Sequence, residues 1–195
     1  MLEGAVAPPV NYLVYGSPTI SGNTYTPDLN AKGFIYTNQP FNPGESEWII
    51  QTKIKINNGV AWRDIIASVD ISGNRQYSIV VQTSNTSGGY GLYMSSNGTS
   101  WNIASNNPSG TISLATWRVF QIVCTRSGSN YVYKMGFPEL GTWTANRILA
   151  AHPIFGKYIS FGGGFSSVGL DCDIDLTETK IWVGGNLWWE AIPSI

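Results

Sequence analysis

The sequence predicts an all-β domain, on three observations. Short apolar runs of strand length recur along the chain, separated by Gly, Asn, Ser and Pro. Several of these runs alternate apolar and polar residues with a period of two, the mark of a sheet with one buried face. No stretch of helical length carries a capped i, i+3, i+4, i+7 apolar face. Many short strands at close spacing favour a sandwich or barrel. The 195 residues make one domain, 1–195, with 1–10 as an extended N-terminal tail. That length buries a core without metals or disulfides.

Pro8-Pro9 gives an extended entry to a first strand at Tyr12–Tyr15. A second is expected over Gly33–Thr37. In Trp48–Ile56 the set Trp48, Ile50, Thr52, Ile54 and Ile56 faces the core, and Ile49, Gln51, Lys53 and Lys55 face out. Further strands are expected over Asp64–Val69, Tyr77–Thr83, Tyr90–Ser95, Trp117–Thr125, Tyr131–Met135 and Tyr158–Phe161. In Leu170–Leu176 the set Leu170, Cys172, Ile174 and Leu176 opposes Asp171, Asp173 and Asp175. Lys180–Val183 and Leu187–Glu190 complete the series. Asn57-Asn58-Gly59, Ser72-Gly73-Asn74, Ser96-Asn97-Gly98, Ser127-Gly128-Ser129 and Gly184-Gly185-Asn186 mark turns, because these residues tolerate positive φ.

Composition narrows the function. Charged residues are 12% of the chain, about half the usual ~25%. Eleven Lys and Arg against twelve Asp and Glu leave a net charge of −1, which argues against a nucleic-acid partner, since phosphate neutralisation needs clustered positive charge. No window reaches the ~18 apolar residues of a membrane-spanning helix, so membrane insertion is not expected. Met1 to Val10 lacks the basic start and apolar run of a secretory signal. Cys124 and Cys172 form no disulfide framework or zinc spacing and read as buried thiols on core strands, with a single bridge between them as the alternative.

Two stretches carry a family resemblance. Thr116-Trp117-Arg118-Val119-Phe120-Gln121-Ile122-Val123, a Ser-Gly-Ser turn and Tyr131-Val132-Tyr133 resemble the "W-x-x-V…G…Y" hairpin of laminin-G-like, concanavalin A-like jelly rolls. Trp48–Ile56, after Phe41-Asn42-Pro43-Gly44, is similar to an early core strand of that family. Ile174 to Trp189 resembles the closing "I-D-L-…-I-x-x-x-G-x-x-W-W" segment of bacteriophage tail and baseplate proteins of this fold. The matches span roughly residues 41–190. The resemblance implies a two-sheet antiparallel jelly roll that binds glycans or proteins, with Trp48 and Trp117 in the core. It also implies a place in a phage tail or outside the cell, with other virion or tail proteins as neighbours; a homo-oligomer is left open.

Constellations for catalysis are thin. Asp171, Asp173, Asp175 and Glu178 echo the alternating acids of concanavalin-like glucanases, but every strand acid here is Asp and the strand lies near the C-terminus, not mid-chain. They read as a solvated strand face, and one strand supplies too few oxygens for Ca²⁺, so no cofactor is expected and calcium is the only candidate. The single His152, beside Pro153, reads as a polar loop residue. No Gly-x-Ser-x-Gly elbow is present. Gly162-Gly163-Gly164 lacks the Lys-Ser/Thr of a phosphate loop and reads as a bulge or a tight strand exit.

Aromatic residues remain, with eight Trp and ten Tyr. Sugar rings stack their C–H faces on indole and phenol rings, and an uncharged surface suits that chemistry. Adjacent Trp188 and Trp189 must point to opposite faces of a strand. Trp62, Trp101 and Trp143 stand at strand ends beside turns, and Tyr90 and Tyr93 precede the Trp101 loop. The expected ligand site is therefore Trp62, Trp101, Trp143, Tyr90 and Tyr93 for stacking, with Arg63, Asp64 and Asn102 for hydroxyls. The expected activity is non-catalytic binding of a cell-surface glycan. Virion assembly through protein contacts, and a glycoside hydrolase or lyase of concanavalin-like fold, are the alternatives.

Overall fold

The computed structural model describes residues 11–28, 33–58, 63–70, 79–83, 90–97, 100, 113–144, 146–153, 156–164 and 170–193. Among these the chain forms fifteen strands: β1 Tyr12–Tyr15, β2 Thr19–Ser21, β3 Thr24–Thr26, β4 Phe34–Thr37, β5 Trp48–Ile56, β6 Asp64–Val69, β7 Ile79–Thr83, β8 Tyr90–Met94, β9 Arg118–Ser127, β10 Asn130–Phe137, β11 Thr142–Trp143, β12 Arg147–Leu149, β13 Tyr158–Phe161, β14 Cys172–Val183 and β15 Asn186–Glu190. One sheet has the order β1-β4-β13-β6-β7-β8. The other runs β11-β10-β9-β5-β14-β3-β2, with β12 on β10 and β15 on β14. Every strand pairing is antiparallel, as for β5 with β9 and β14 and for β6 with β13. The expected all-β sandwich is the fold observed.

Alternation sorts the side chains. Ile50, Ile54 and Ile56 of β5 and Cys172, Ile174 and Leu176 of β14 are buried between the sheets, while Lys53, Lys55, Asp173 and Asp175 face out. Aromatic rings tie the layers together: Tyr90 of β8 meets Phe120 of β9 edge-on at 5.4 Å, and Phe161 of β13 stacks on Trp189 of β15 at 5.8 Å. Trp189 is thus the inward member of the Trp-Trp pair, and half-buried Trp188 packs on Phe41 at the rim. Cys124 and Cys172 are free and buried, as their strand positions require.

Four differences from the sequence reading have physical causes. Leu170–Leu176 and Lys180–Val183 are one strand, because a register irregularity between Asp175 and Lys180 carries β14 past the break in alternation. The short β2, β3, β11 and β12 lack the apolar runs by which longer strands are read. His152 is no bare loop residue: its Nδ1 meets Tyr133 Oη at 2.5 Å and its ring lies 3.8 Å from that of Tyr131. Trp117 is half-buried on the outer face, not in the core, with Lys53 and Lys55 ammoniums 5.9 and 5.4 Å from its ring centroid.

Candidate functional site

The outer face of the six-stranded sheet carries a second apolar cluster, distinct from the core. Phe34 and Tyr36 of β4, Ala67 and Val69 of β6 and Tyr93 of β8 are buried there, with Tyr15 and Tyr158 packed against them. Tyr15 stacks on Phe34 at 5.0 Å, and Tyr36 meets Tyr158 edge-on at 5.6 Å. These residues occupy the positions that alternation turns away from Ile35, Ile159 and Leu92 of the core.

At one end of this face three strand termini converge. β6 begins with Asp64, a carboxylate in a residue only 1% exposed. A register slip between Asp64 and Ile66 lets both Ile65 and Ile66 bury in the core. β13 exits through the glycine run. A Cβ on Gly164 would stand 2.4 Å from Asp64 Oδ2, and one on Gly163 would stand 2.8 Å from the Gly33 carbonyl oxygen. Only a residue without a side chain lets the chain pass so close to the carboxylate, which bears out the tight strand exit. Gly33 in turn abuts Asp28, whose backbone nitrogen would lie 3.1 Å from an added Cβ. The rim is thus built from Asp64, Gly163, Gly164, Gly33 and Asp28, with Phe34 and Tyr15 beside it. A carboxylate is an acceptor only, and Asp64 is enclosed here against the Gly163-Gly164 backbone at the edge of an aromatic face.

Of the expected site residues, the structure brings three to this end. Asp64 is central, half-buried Arg63 precedes it, and the Tyr93 ring lies over Gly91, where an added Cβ would stand 3.0 Å from Cε2. Gly91 pairs with Gln82 and Gln82 with Asp64, so the ring covers the same row of the sheet. Tyr93 itself is 5% exposed, which makes it a wall of the face and not an open platform. Tyr90 is corrected outright: it points into the sandwich between Phe120 and Phe137, where no ligand reaches. Trp143 stands on β11 of the other sheet, with Lys134 Nζ 4.4 Å from its ring centroid, and shares no hollow with Asp64. Trp62, Trp101 and Asn102 lie outside the described residues. Asp28 and the Phe34 and Tyr15 rings escaped the sequence reading, because only the pairing of β1, β4 and β13 brings them beside Asp64.

The strand acids are engaged elsewhere. Asp173 Oδ2 lies 2.6 Å from Lys55 Nζ, and its Oδ1 accepts the Thr26 hydroxyl at 2.8 Å. Asp175 Oδ2 lies 3.2 Å from Lys53 Nζ, and Thr177 donates to its Oδ1 through both backbone and hydroxyl. Partial burial works to raise both carboxyls. Hydrogen bonds from Lys55 and Thr26 to Asp173, and from Thr177 and Lys53 to Asp175, outweigh it and hold both below the ordinary aspartate range. A general acid needs the opposite shift. Among the described residues, no three His, Cys, Asp or Glu side chains gather as metal ligands.

No protein-family model matches the chain, and no curated protein matches its sequence. Solved structures do match its fold. The exoplasmic/lumenal domain of VIP36, in a Ca²⁺- and mannose-bound form, superposes with a TM-score of 0.52 at 10% identity, covering 95% of this chain and 90% of that one. Arcelin-5, a lectin-like defense protein from Phaseolus vulgaris, gives 0.52 at 9% identity over 84% of this chain and 89% of that one. The binding domain of botulinum neurotoxin serotype D gives 0.56 at 14% identity over 89% of this chain and 42% of that one. The chain therefore has the concanavalin A-like, legume-lectin-like sandwich fold.

Proposed function

We propose that this chain is a non-catalytic carbohydrate-binding module that takes a neutral saccharide at the Asp64 end of the six-stranded sheet. The observation that carries the reading is the buried Asp64 carboxylate pressed against the Gly163-Gly164 backbone at the edge of an aromatic face. Asp64 accepts hydroxyl protons and Arg63 donates to ring or hydroxyl oxygens. The fold supports the reading, since VIP36 is described with mannose bound and arcelin-5 as lectin-like. The low charge supports an uncharged ligand. The ion-paired state of Asp173 and Asp175 supports binding without cleavage.

The resemblance of the closing Ile174–Trp189 segment to phage tail and baseplate proteins of this fold supports a phage source. We propose a host cell-surface glycan, a location on a virion tail or outside the cell, and other tail proteins as neighbours. Binding is proposed to need no calcium. A glycan array of bacterial wall and capsule sugars, followed by calorimetry on the full chain with and without EDTA, tests this. Binding that survives EDTA and drops about tenfold or more in Asp64→Ala is expected, since a carboxylate's hydrogen bonds are worth roughly 1.5–3 kcal/mol. An array with no binding, or affinity untouched by Asp64→Ala, overturns it. A second reading, an assembly domain, draws on the exposed Ile148, Leu13 and Val14 on strands. A stable oligomer in light scattering, with no sugar affinity, favours that reading.

A further inference from the structure

The outer face of the nine-stranded sheet is divided along its strands. One half holds the Lys53–Asp175 and Lys55–Asp173 pairs. The other half contains a cleft of about 120 Å³ whose lining includes Trp182, Ile49, Val123, Thr125, Glu47 and Gly185. Register sets Trp182 opposite Ile49 and Ile49 opposite Val123, so three outward side chains form one row across β14, β5 and β9. Adjacent strands are roughly 4.8 Å apart, which makes the row about 10 Å wide, the breadth of one six-membered ring with its substituents.

Trp182 differs from the other described indoles. Trp48 meets Phe41 and Tyr133, Trp117 lies near Lys53 and Lys55, Trp143 near Lys134, Trp188 on Phe41 and Trp189 on Phe161. The half-buried Trp182 side chain has no ring, cation or hydrogen-bond partner among the described residues. Its setting is rigid. Gly184 and Gly185 both have positive φ, as a two-residue type I′ hairpin requires, and the Gly184 N–H donates to the Glu47 carbonyl at 2.8 Å. Glu47 is held in turn, its Oε1 accepting the Arg126 backbone N–H at 2.5 Å, which leaves Oε2 for a ligand.

The charges define the occupant. Glu47 is the only charged residue of the lining. Lys134, opposite Val123, and Lys180, two residues before Trp182, stand on the same face and oppose a cation there. Glu45 is taken up by Arg126 at 3.6 Å. An uncharged ring with one apolar face and a rim of hydroxyls fits this lining. We propose that the cleft is a second saccharide subsite, for a single pyranose unit stacked on Trp182 with its hydroxyls reaching Glu47 Oε2 and Thr125 Oγ1. It lies on the opposite side of the sandwich from Asp64 and stands on its own chemistry. With both sites filled, one module would engage two glycan branches and gain avidity.

Indole N–H resonances of the full chain, with Trp182 assigned by Trp182→Phe, are followed while methyl pyranosides are added. The expected result is a saturable millimolar shift of the Trp182 signal that persists in Asp64→Ala. Glu47→Gln should weaken it about threefold, the worth of one modest hydrogen bond, and Trp182→Ala should abolish this binding event. A Trp182 signal that no methyl pyranoside moves overturns the proposal, even where binding elsewhere depends on Asp64. Saturation by tetramethylammonium in place of the sugars overturns it also. Should Trp182→Ala fail to fold, Glu47→Gln and the Trp182 signal of the unmutated chain decide the matter.

Discussion

The carboxylate of Asp64 and the backbone of Gly164 approach so closely that a Cβ on the glycine would stand 2.4 Å from Oδ2. Two segments a hundred residues apart in sequence are thereby locked into one rim. Gly164→Ala must push the carboxylate aside or shift the β13 exit. We expect it to abolish glycan binding and to lower stability by about 1–3 kcal/mol, the usual cost of overpacking. Calorimetry with the glycan and urea unfolding check the two halves. Unchanged affinity would show that Asp64 is not held by this contact.

The Lys–Asp ladder on the nine-stranded sheet should make stability acid-sensitive. Asp173 and Asp175 have folded-state pKa values below the ordinary aspartate value, so on acidification the unfolded chain takes up protons first. Their contribution is fully present above about pH 3.9 and is lost as the pH falls through the lower folded values. The double variant Asp173→Asn, Asp175→Asn should show a shallower loss of stability across that window. The pairs are partly exposed, so at neutral pH each is worth no more than about 1 kcal/mol.

His152 should titrate below the ordinary histidine range. Burial disfavours its charged form and the Arg126 guanidinium adds to this, while Glu45 opposes them weakly. As pH drops below about 6.5 the unfolded imidazole binds a proton before the folded one does, so stability declines from there down to the folded pKa. The chain has a single histidine, so one imidazole resonance reports the value directly. His152→Gln should remove this slope. A folded pKa at or above the ordinary value would refute the assignment.

The thiols should be inert in the native state. Burial pushes Cys124 up to about 12, against a lowering hydrogen bond with Tyr133, and burial raises Cys172 well above the usual thiol range, helped by the Asp173 and Asp171 charges. Because the thiolate is the reacting form, a disulfide reagent at neutral pH should consume neither thiol until denaturant is added, and then both. Rapid native reaction of either would contradict its burial.

Trp48 and Trp182 should respond very differently to truncation. Trp48 is 1% exposed and wedged between Phe41 and Tyr133. Trp48→Ala should cost about 3–5 kcal/mol, as for other large core aromatics. Trp182→Ala, on the outer face, should cost about 1 kcal/mol or less. Denaturant unfolding separates them.

Alternation alone determined the strand class of this chain and, in β5 and β14, which side chains face inward. That pattern is local, since consecutive Cβ atoms must point to opposite sides of a pleated strand. It also put Cys172 on the buried side of its strand, while Cys124 was read as buried from the general burial of free thiols. It could not assign Trp117, where similarity to a family core position pointed inward and the pleat points the indole outward beside Lys53 and Lys55. For Tyr90 and Tyr93, three residues apart on β8, it sets opposite faces but not which of the two faces the core. Strand order and register decided the rest. The meeting of Asp64 with Gly164, of Asp28 with Gly33, and of Trp182 with Ile49 and Val123 depends on which strands become neighbours and how they slide. Those choices are made by packing two whole sheets against each other, and no single segment contains them.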